Sequence, residues 1–344
     1  MAGIEDVAKL AGVSTATVSR ALAGKDHVSA KAKSKVLAAA LELGYTASHS
    51  AYTLATGRNR NIGVIMPYLD RWFFSAILEE TDTKLIDNGY DLTLYNLSVF
   101  DDKRDKVFND FLPRQRVDAV LTVAVRPSET ELATLNRLKK PIIGVGGAIP
   151  GARTLALDDI KAGRLATEHL ISLGHTKIAN VGESPFSDRE FNQPNLRRLG
   201  YLEALEDAGL EAKKIWQVST DYSIMDAYRV AKQLLGDPHN RPTGVFCNSD
   251  EMAFGTIMAA KDLGLRVPQD ISVVGIDNHD MSEFFGLTTI DQRVREQGST
   301  AAQMLLDLLN DKNFETNGNV EDVIEWPARL LIRSSTAHVS SSTR

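Results

Sequence analysis

From residue 61 to about residue 276 the chain alternates short apolar runs with longer stretches of helical periodicity, and few folds accept that order. The runs Ile62–Met66, Asp91–Leu97, Ala119–Ala124, Ile142–Val145, Lys177–Val181, Ile215–Val218, Gly244–Cys247 and Ile271–Ile276 read as strands. Helical patterns fill most of the gaps, over 73–88, 160–173, 195–208, 223–235, 250–263 and 294–309. Strand–helix alternation predicts parallel sheets covered on both faces. Eight strands over this length suit two sheets, and so an α/β body of two lobes.

Open parallel sheets bind ligands beyond the carboxyl ends of their strands. The residues that follow each run therefore form the candidate pocket: Tyr68, Asp70, Trp72, Phe74, Asn96, Glu183, Asp221, Tyr222, Asn248, Ser249, Asp250 and Asp277. Aromatic rings beside carboxylates and amides suit a polyol, whose C–H face stacks while its hydroxyls hydrogen-bond. A purine also stacks and hydrogen-bonds. Asp250 is placed to cap helix 250–263, and Cys247 reads as a small, inert buried residue.

The first 45 residues have another character. Val7, Ala8, Leu10 and Ala11 make one short apolar helical face, with Glu5 and Asp6 in the first turn, where the helix dipole favours acids. Gly12 permits a tight left-handed turn, and Ser14 can cap a second helix whose Val18 and Leu22 share a face. Ser29 can cap a third helix, with Val36, Leu37, Ala40 and Leu41 as its buried stripe and Gly44 as its end. This all-α head is a helix-turn-helix by spacing. The outer side of its second helix offers Thr15, Ala16, Thr17, Ser19 and Arg20, short or basic side chains suited to a major groove.

Charge divides along the same line. Residues 1–60 carry eight basic and four acidic residues, a balance of +4, so the remainder holds −10 of the overall −6. A basic head on an acidic body is the asymmetry of a chain that meets phosphate at one end. The single cysteine fits a reducing compartment, and the N-terminus lacks the basic start and apolar run of a signal peptide. No membrane segment is expected, and the cytoplasm is the expected location.

The segment Asp6–Leu22, continued by Val28-Ser29-Ala30 and Leu43-Gly44-Tyr45, resembles the head of the lactose/galactose repressor family of transcriptional regulators. The body shares landmarks with that family at 62–65, 168–170, 173–178, 273–277, 287–290 and 333–336. The resemblance implies a periplasmic-binding-protein-like (type I) body behind the helix-turn-helix. Its boundaries would be a head at 1–46, a hinge at 47–60, a body at 61–336 and a tail at 337–344. The first lobe would comprise about 61–160 and 290–320, and the second about 161–289 and 321–336. Thr15 and Ala16 would then read operator bases and Arg20 pair with guanine, while Ser14, Thr17, Ser19, His27 and Ser29 lie near phosphates. Leu54 would wedge into the minor groove, with Ala51 where paired hinge helices touch. Ala47, Ser48 and Tyr52 depart from the family's usual proline, asparagine and arginine. In the body, Arg197, Ser249, Asp277, Tyr222 and Phe74 fall on effector-binding positions, and Tyr68 and Trp72 join them from the strand-end reading.

The implied activity is operator binding by a homodimer, controlled by a small effector that is expected to be a mono- or disaccharide, with a purine or nucleoside as the alternative. The Ser/Thr-rich end has no heptad repeat that would hold a tetramer. No cofactor and no metal is expected, because the seven histidines and one cysteine form no zinc spacing. Phosphate-loop, nucleophile-elbow and complete dinucleotide motifs are missing, so an enzyme has no support. A solute-binding protein feeding a transporter would share the body but not the head.

Overall fold

The computed structural model describes residues 2–22, 28–45, 57–97, 101–183, 193–311 and 322–339. The chain divides into two compact units, Met1–Arg60 and Asn61–Arg344.

In the head, α1 (Ile4–Ala11), α2 (Thr15–Leu22) and α3 (Ala30–Glu42) surround a small core of Val7, Ala8, Ala11, Val18, Ala21, Val36, Ala39 and Ala40. Gly12 ends α1 at φ 66°, a left-handed turn open to glycine at little cost. Ser14 Oγ accepts the Thr17 amide at 3.1 Å, and Ser29 Oγ accepts the Ala32 amide at 3.2 Å, so both serines cap as expected. The buried stripes are narrower than the sequence suggested. Leu10, Leu37 and Leu41 are exposed, because alanines let the helices approach too closely for leucine between them.

The body contains two six-stranded sheets. The first runs β11-β5-β4-β3-β1-β2 and is parallel throughout, from β1 (Asn61–Met66), β2 (Asp91–Asn96), β3 (Ala119–Val123), β4 (Ile142–Val145), β5 (Arg153–Leu157) and β11 (Asp322–Trp326). Helix α4 (Trp72–Asp87) packs with α11 (Val294–Asn310) over one face. Helices α5 (Asp101–Lys106) and α6 (Glu129–Arg137) belong to the same lobe.

The second sheet runs β12-β10-β9-β8-β6-β7, from β6 (Ile178–Glu183), β7 (Gln217–Thr220), β8 (Gly244–Cys247), β9 (Ser272–Ile276), β10 (Thr288–Asp291) and β12 (Arg329–Leu331). Only β12 is antiparallel in this sheet. Its helices are α7 (Asp159–Ser172), α8 (Gln193–Asp207), α9 (Ile224–Gly236) and α10 (Asp250–Asp262). The paired helices α7 and α8 touch backbone to backbone at Gly163 and Gly200.

The chain passes between the lobes three times: after β5, after β10 and between β11 and β12. This corrects the expected division. Residues 321–336 do not all lie in the second lobe, since β11 pairs with β5 in register Asp322↔Arg153, fastened by an Arg153–Asp322 ion pair. Residues 290 and 291 end β10 in the second sheet rather than opening the first lobe's return. Strand β7 also begins two residues late, because Lys214–Trp216 form a 3-10 turn whose Trp216 indole bonds the Asn240 carbonyl. No helix among the described residues is long and apolar enough to cross a membrane.

Candidate functional site

On α2, Val18 and Ala21 face the core, which turns Thr15, Ala16, Ser19 and Arg20 to the outside, with Thr17 half-buried. Ser14 and Thr17 hydroxyls lie 2.9 Å apart, so both participate in the cap that starts the helix. Arg20, in the last turn, makes no ion pair among the described residues. Such a helix presents short polar side chains at its start and one guanidinium at its end. His27, Ala51 and Leu54 lie outside the described residues, as do Ala47, Ser48 and Tyr52.

In the body, the carboxyl ends of the two sheets confront each other. Gln193, opening α8 of the second lobe, donates to the Gly146 carbonyl beyond β4 of the first at 2.7 Å. The second lobe's wall centres on Arg197, whose Nε donates to Asp159 Oδ1 at 2.7 Å and Nη1 to the Asn248 carbonyl at 2.6 Å. The Arg197 and Asp159 side chains are only 8% and 3% exposed. Burial opposes the arginine's charge, but the nearby Asp159, Tyr222 and Asp277 outweigh it and hold the guanidinium more firmly protonated.

Asp277, one residue past β9, has φ 127°, a conformation rare outside glycine, and receives the Gln292 amide. Burial pushes its carboxyl well above the usual range; Arg197 opposes that shift, while Asp250 and Glu251 add to it. Tyr222 also has a left-handed backbone, φ 69°, held by its amide on Thr220 Oγ1 at 3.1 Å. Arg197, Tyr222 and Asp277 thus come together, and Asn248 and Gln292 fix the first and the last. A guanidinium beside a carboxyl group and a phenol can hold vicinal hydroxyls or the polar edge of a base.

On the first lobe, Tyr68 meets Phe74 edge to face at 5.6 Å, and Phe73 meets Phe74 at 5.3 Å. Two expected pocket residues are engaged elsewhere. Ser249 is the N-cap of α10, accepting the Met252 amide at 3.2 Å. Trp72 packs at a tilt against His279, ring centroids 4.7 Å apart, and donates to Asp280. Asp250 is not the cap it was expected to be: its carboxylate gathers Ser282 and Thr289 hydroxyls and the His279 amide.

Asp159 and Gln292 escaped the sequence reading. Each lies one or two residues beyond a strand, β5 or β10, that was not recognised as a strand, so the strand-end rule was never applied there. No group of three potential metal ligands occurs among the described residues.

A helix-turn-helix head preceding a two-lobed α/β body defines a ligand-responsive DNA-binding regulator. Residues 3–48 match the model of bacterial regulatory proteins of the lacI family, and residues 167–336 match the periplasmic binding protein-like domain. The HTH-type transcriptional repressor PurR of Serratia proteamaculans (strain 568) is 36% identical over 343 residues, covering 98% of this chain and 97% of that protein. PurR of Escherichia coli O139:H28 (strain E24377A / ETEC) is 34% identical with the same coverage. Among solved structures, the Lac repressor dimer bound to operator and the anti-inducer ONPF superposes with TM-score 0.82 at 28% identity, covering 98% of this chain and 99% of that one. The regulator CelR in complex with cellobiose gives 0.69 at 25% identity, covering 97% and 100%. The chain belongs to the lacI family of bacterial regulatory proteins. It is a DNA-binding transcriptional repressor under the control of a small ligand, and not an enzyme.

Proposed function

We propose that the ligand is a sugar, a mono- or disaccharide held between the lobes, and that it acts on a homodimer. The observation that carries the reading is the group of buried Arg197 and Asp277 with half-buried Tyr222 at the strand ends, with Gln292 orienting the carboxyl. Asp277 and Arg197 take neighbouring hydroxyls, Tyr222 covers one face of the ring, and Phe74 with Tyr68 covers the other. Trp72 and Ser249 act at one remove, the former on lobe closure and the latter by fixing the start of α10. A purine is the second reading, favoured by the flat aromatic residues on both lobes and by the name PurR carried by the sequence relatives.

In the head, Thr15, Ala16 and Arg20 read base edges. Ser14, Thr17, Ser19, His27 and Ser29 approach phosphates, and Ala51 and Leu54 supply the hinge contact and minor-groove wedge. A homodimer would cover some of the exposed Ile224, Met225, Met258, Met281 and Phe284 of the second lobe. Two heads then match a near-palindromic operator.

A thermal-shift panel of mono- and disaccharides, nucleosides and free purines tests the ligand. A ligand at a hundred times its Kd stabilises by about 2.7 kcal/mol, a readily measured rise in Tm. A rise with sugars alone supports the first reading, a rise with purines alone replaces it with the second, and no rise with any of them rejects both.

A further inference from the structure

Asn180 stands in the middle of β6, buried on the face that packs against α7 and α8. Its surroundings on that face are apolar: Ile178 two residues before it, and Phe246 in register on β8. An amide in such a place is costly unless its hydrogen bonds are met. Its Nδ2 donates to the Phe246 carbonyl at 3.2 Å and to Asn248 Oδ1 at 2.8 Å. Asn248 is equally buried, and its Nδ2 donates in turn to the Pro194 carbonyl in the first turn of α8, at 3.0 Å. The Asn248 main chain is engaged at both ends, its N–H on the Val181 carbonyl at 2.9 Å and its carbonyl on Arg197 Nη1 at 2.6 Å.

Positions 194 and 197 share a face of α8, so Asn248 holds that helix at two points one turn apart. The direction of the amide chain is forced. The Phe246 and Pro194 carbonyls can only accept, so both amides turn their NH2 groups towards them and Asn248 Oδ1 is left facing Asn180. Gly182 makes room for the pair, since a Cβ there would overlap Asn248 Nδ2. At the far end, Arg197 has Nε committed to Asp159 and Nη1 to Asn248, while Nη2 makes no hydrogen bond among the described residues.

We infer that Asn180 is a positioning residue for Arg197: acting through Asn248, it fixes the first turn of α8 and the plane of the guanidinium, so that Nη2 is the nitrogen presented to the ligand. The inference deepens the reading of Arg197 as a ligand-binding residue and rests on it. Without Asn180, Asn248 Oδ1 is buried with no donor, and the Asn248 amide can turn away from Pro194. A guanidinium whose anchor has loosened samples several orientations instead of one. Ligand binding then weakens by about tenfold, the effect of losing one buried hydrogen bond.

The test uses the full-length ligand-free protein, carrying isotope-labelled arginine, as wild type, Asn180→Leu, Asn248→Ala and the double variant. Asn180→Ala, which cannot overpack the site, is carried beside Asn180→Leu. Nuclear magnetic resonance follows rotation about the Arg197 Nε–Cζ bond, the signals being assigned by their loss in Arg197→Lys. Arg104, whose Nε donates to Glu131 in the first lobe at 2.6 Å, is the internal reference. Rotation at Arg197 about tenfold faster in both Asn180 variants, with Arg104 unchanged and the double variant no worse than Asn248→Ala, supports the inference. Unchanged rotation at Arg197 overturns it, and equal acceleration at Arg104 overturns it as general loosening. A double variant worse than Asn248→Ala overturns the route through Asn248. Titration with the sugars, nucleosides and purines of the thermal-shift panel reads the consequence: a compound that stabilises the wild type should bind Asn180→Leu about tenfold more weakly, and equal affinity overturns the link to the ligand. If no compound stabilises the wild type, the sugar and purine readings fall while rotation at Arg197 still decides the role of Asn180, so the two failures are distinguishable.

Discussion

Arg197 has a structural role as well as the proposed binding role, and a substitution must separate the two. Truncation to alanine leaves Asp159 buried without its partner, a loss of about 3–5 kcal/mol, so Arg197→Ala is expected to unfold the body more readily as well as to lose the ligand. Arg197→Lys keeps the charge but not the planar fork that spans Asp159 and the Asn248 carbonyl. It should remain folded, bind operator and lose the ligand-dependent Tm shift; a normal shift in Arg197→Lys would remove the residue from the pocket. A second residue sets the pH response of the fold. His175 lies between Thr243, Ser272 and the Ala337 carbonyl, and burial pushes its imidazole down to about 4. In the unfolded chain it takes up a proton near its ordinary 6.5, whereas the folded protein resists protonation until about 4. Stability is therefore full above pH 6.5 and falls as the pH drops towards 4, by on the order of 3 kcal/mol. Denaturant midpoints measured across that window should decline in the wild type and flatten in His175→Gln; parallel slopes would assign the decline to other groups, His169 first among them.

Among the elements, the contact of α7 with α8 carries the most functional weight, because it positions Arg197. A Cβ at Gly200 would stand 2.0 Å from the Ile160 carbonyl oxygen, and one at Gly163 2.1 Å from that of Arg197. Both obstacles are backbone, so Gly200→Ala must push the helices apart, at about 3 kcal/mol. It should also weaken ligand binding without touching the ligand, since Arg197 moves with α8; unchanged Tm and ligand affinity would show that the helices part freely. Elements of this kind were legible in the sequence where they were long and periodic. All six expected body helices exist within two residues of their expected ends, and the head's three helices begin at the serines and acids that suggested them. What stayed hidden was short or polar. Strand β10 reads Thr-Thr-Ile-Asp and β12 only three residues, and β11 is a half-exposed edge, so none has an apolar run to reveal it. Long-range pairing, not local pattern, makes them strands. The pocket inherited those omissions, and it could not be foreseen that Trp72 would be captured by Asp280, some two hundred positions away in sequence.

For the molecule as a whole, the separation of charge makes operator binding an ion-exchange event. A duplex releases counterions as basic side chains reach its phosphates, so log affinity should fall linearly with log salt, with a slope of about −0.9 for each phosphate neutralised. A flat salt response measured by fluorescence anisotropy would contradict the phosphate contacts assigned to the head. The acidic body makes no such contribution and keeps the molecule from spreading along DNA by charge alone. A ligand held by Arg197 would, by contrast, convey its occupancy mechanically. The acid that anchors Arg197 is Asp159, two residues beyond Leu157, where the backbone first leaves one sheet for the other. A ligand that engaged the arginine would therefore tug on the pivot of the jaw itself, like a hand closing on a lever at its fulcrum pin, and no relay of intermediate side chains would have to carry the message to the joint.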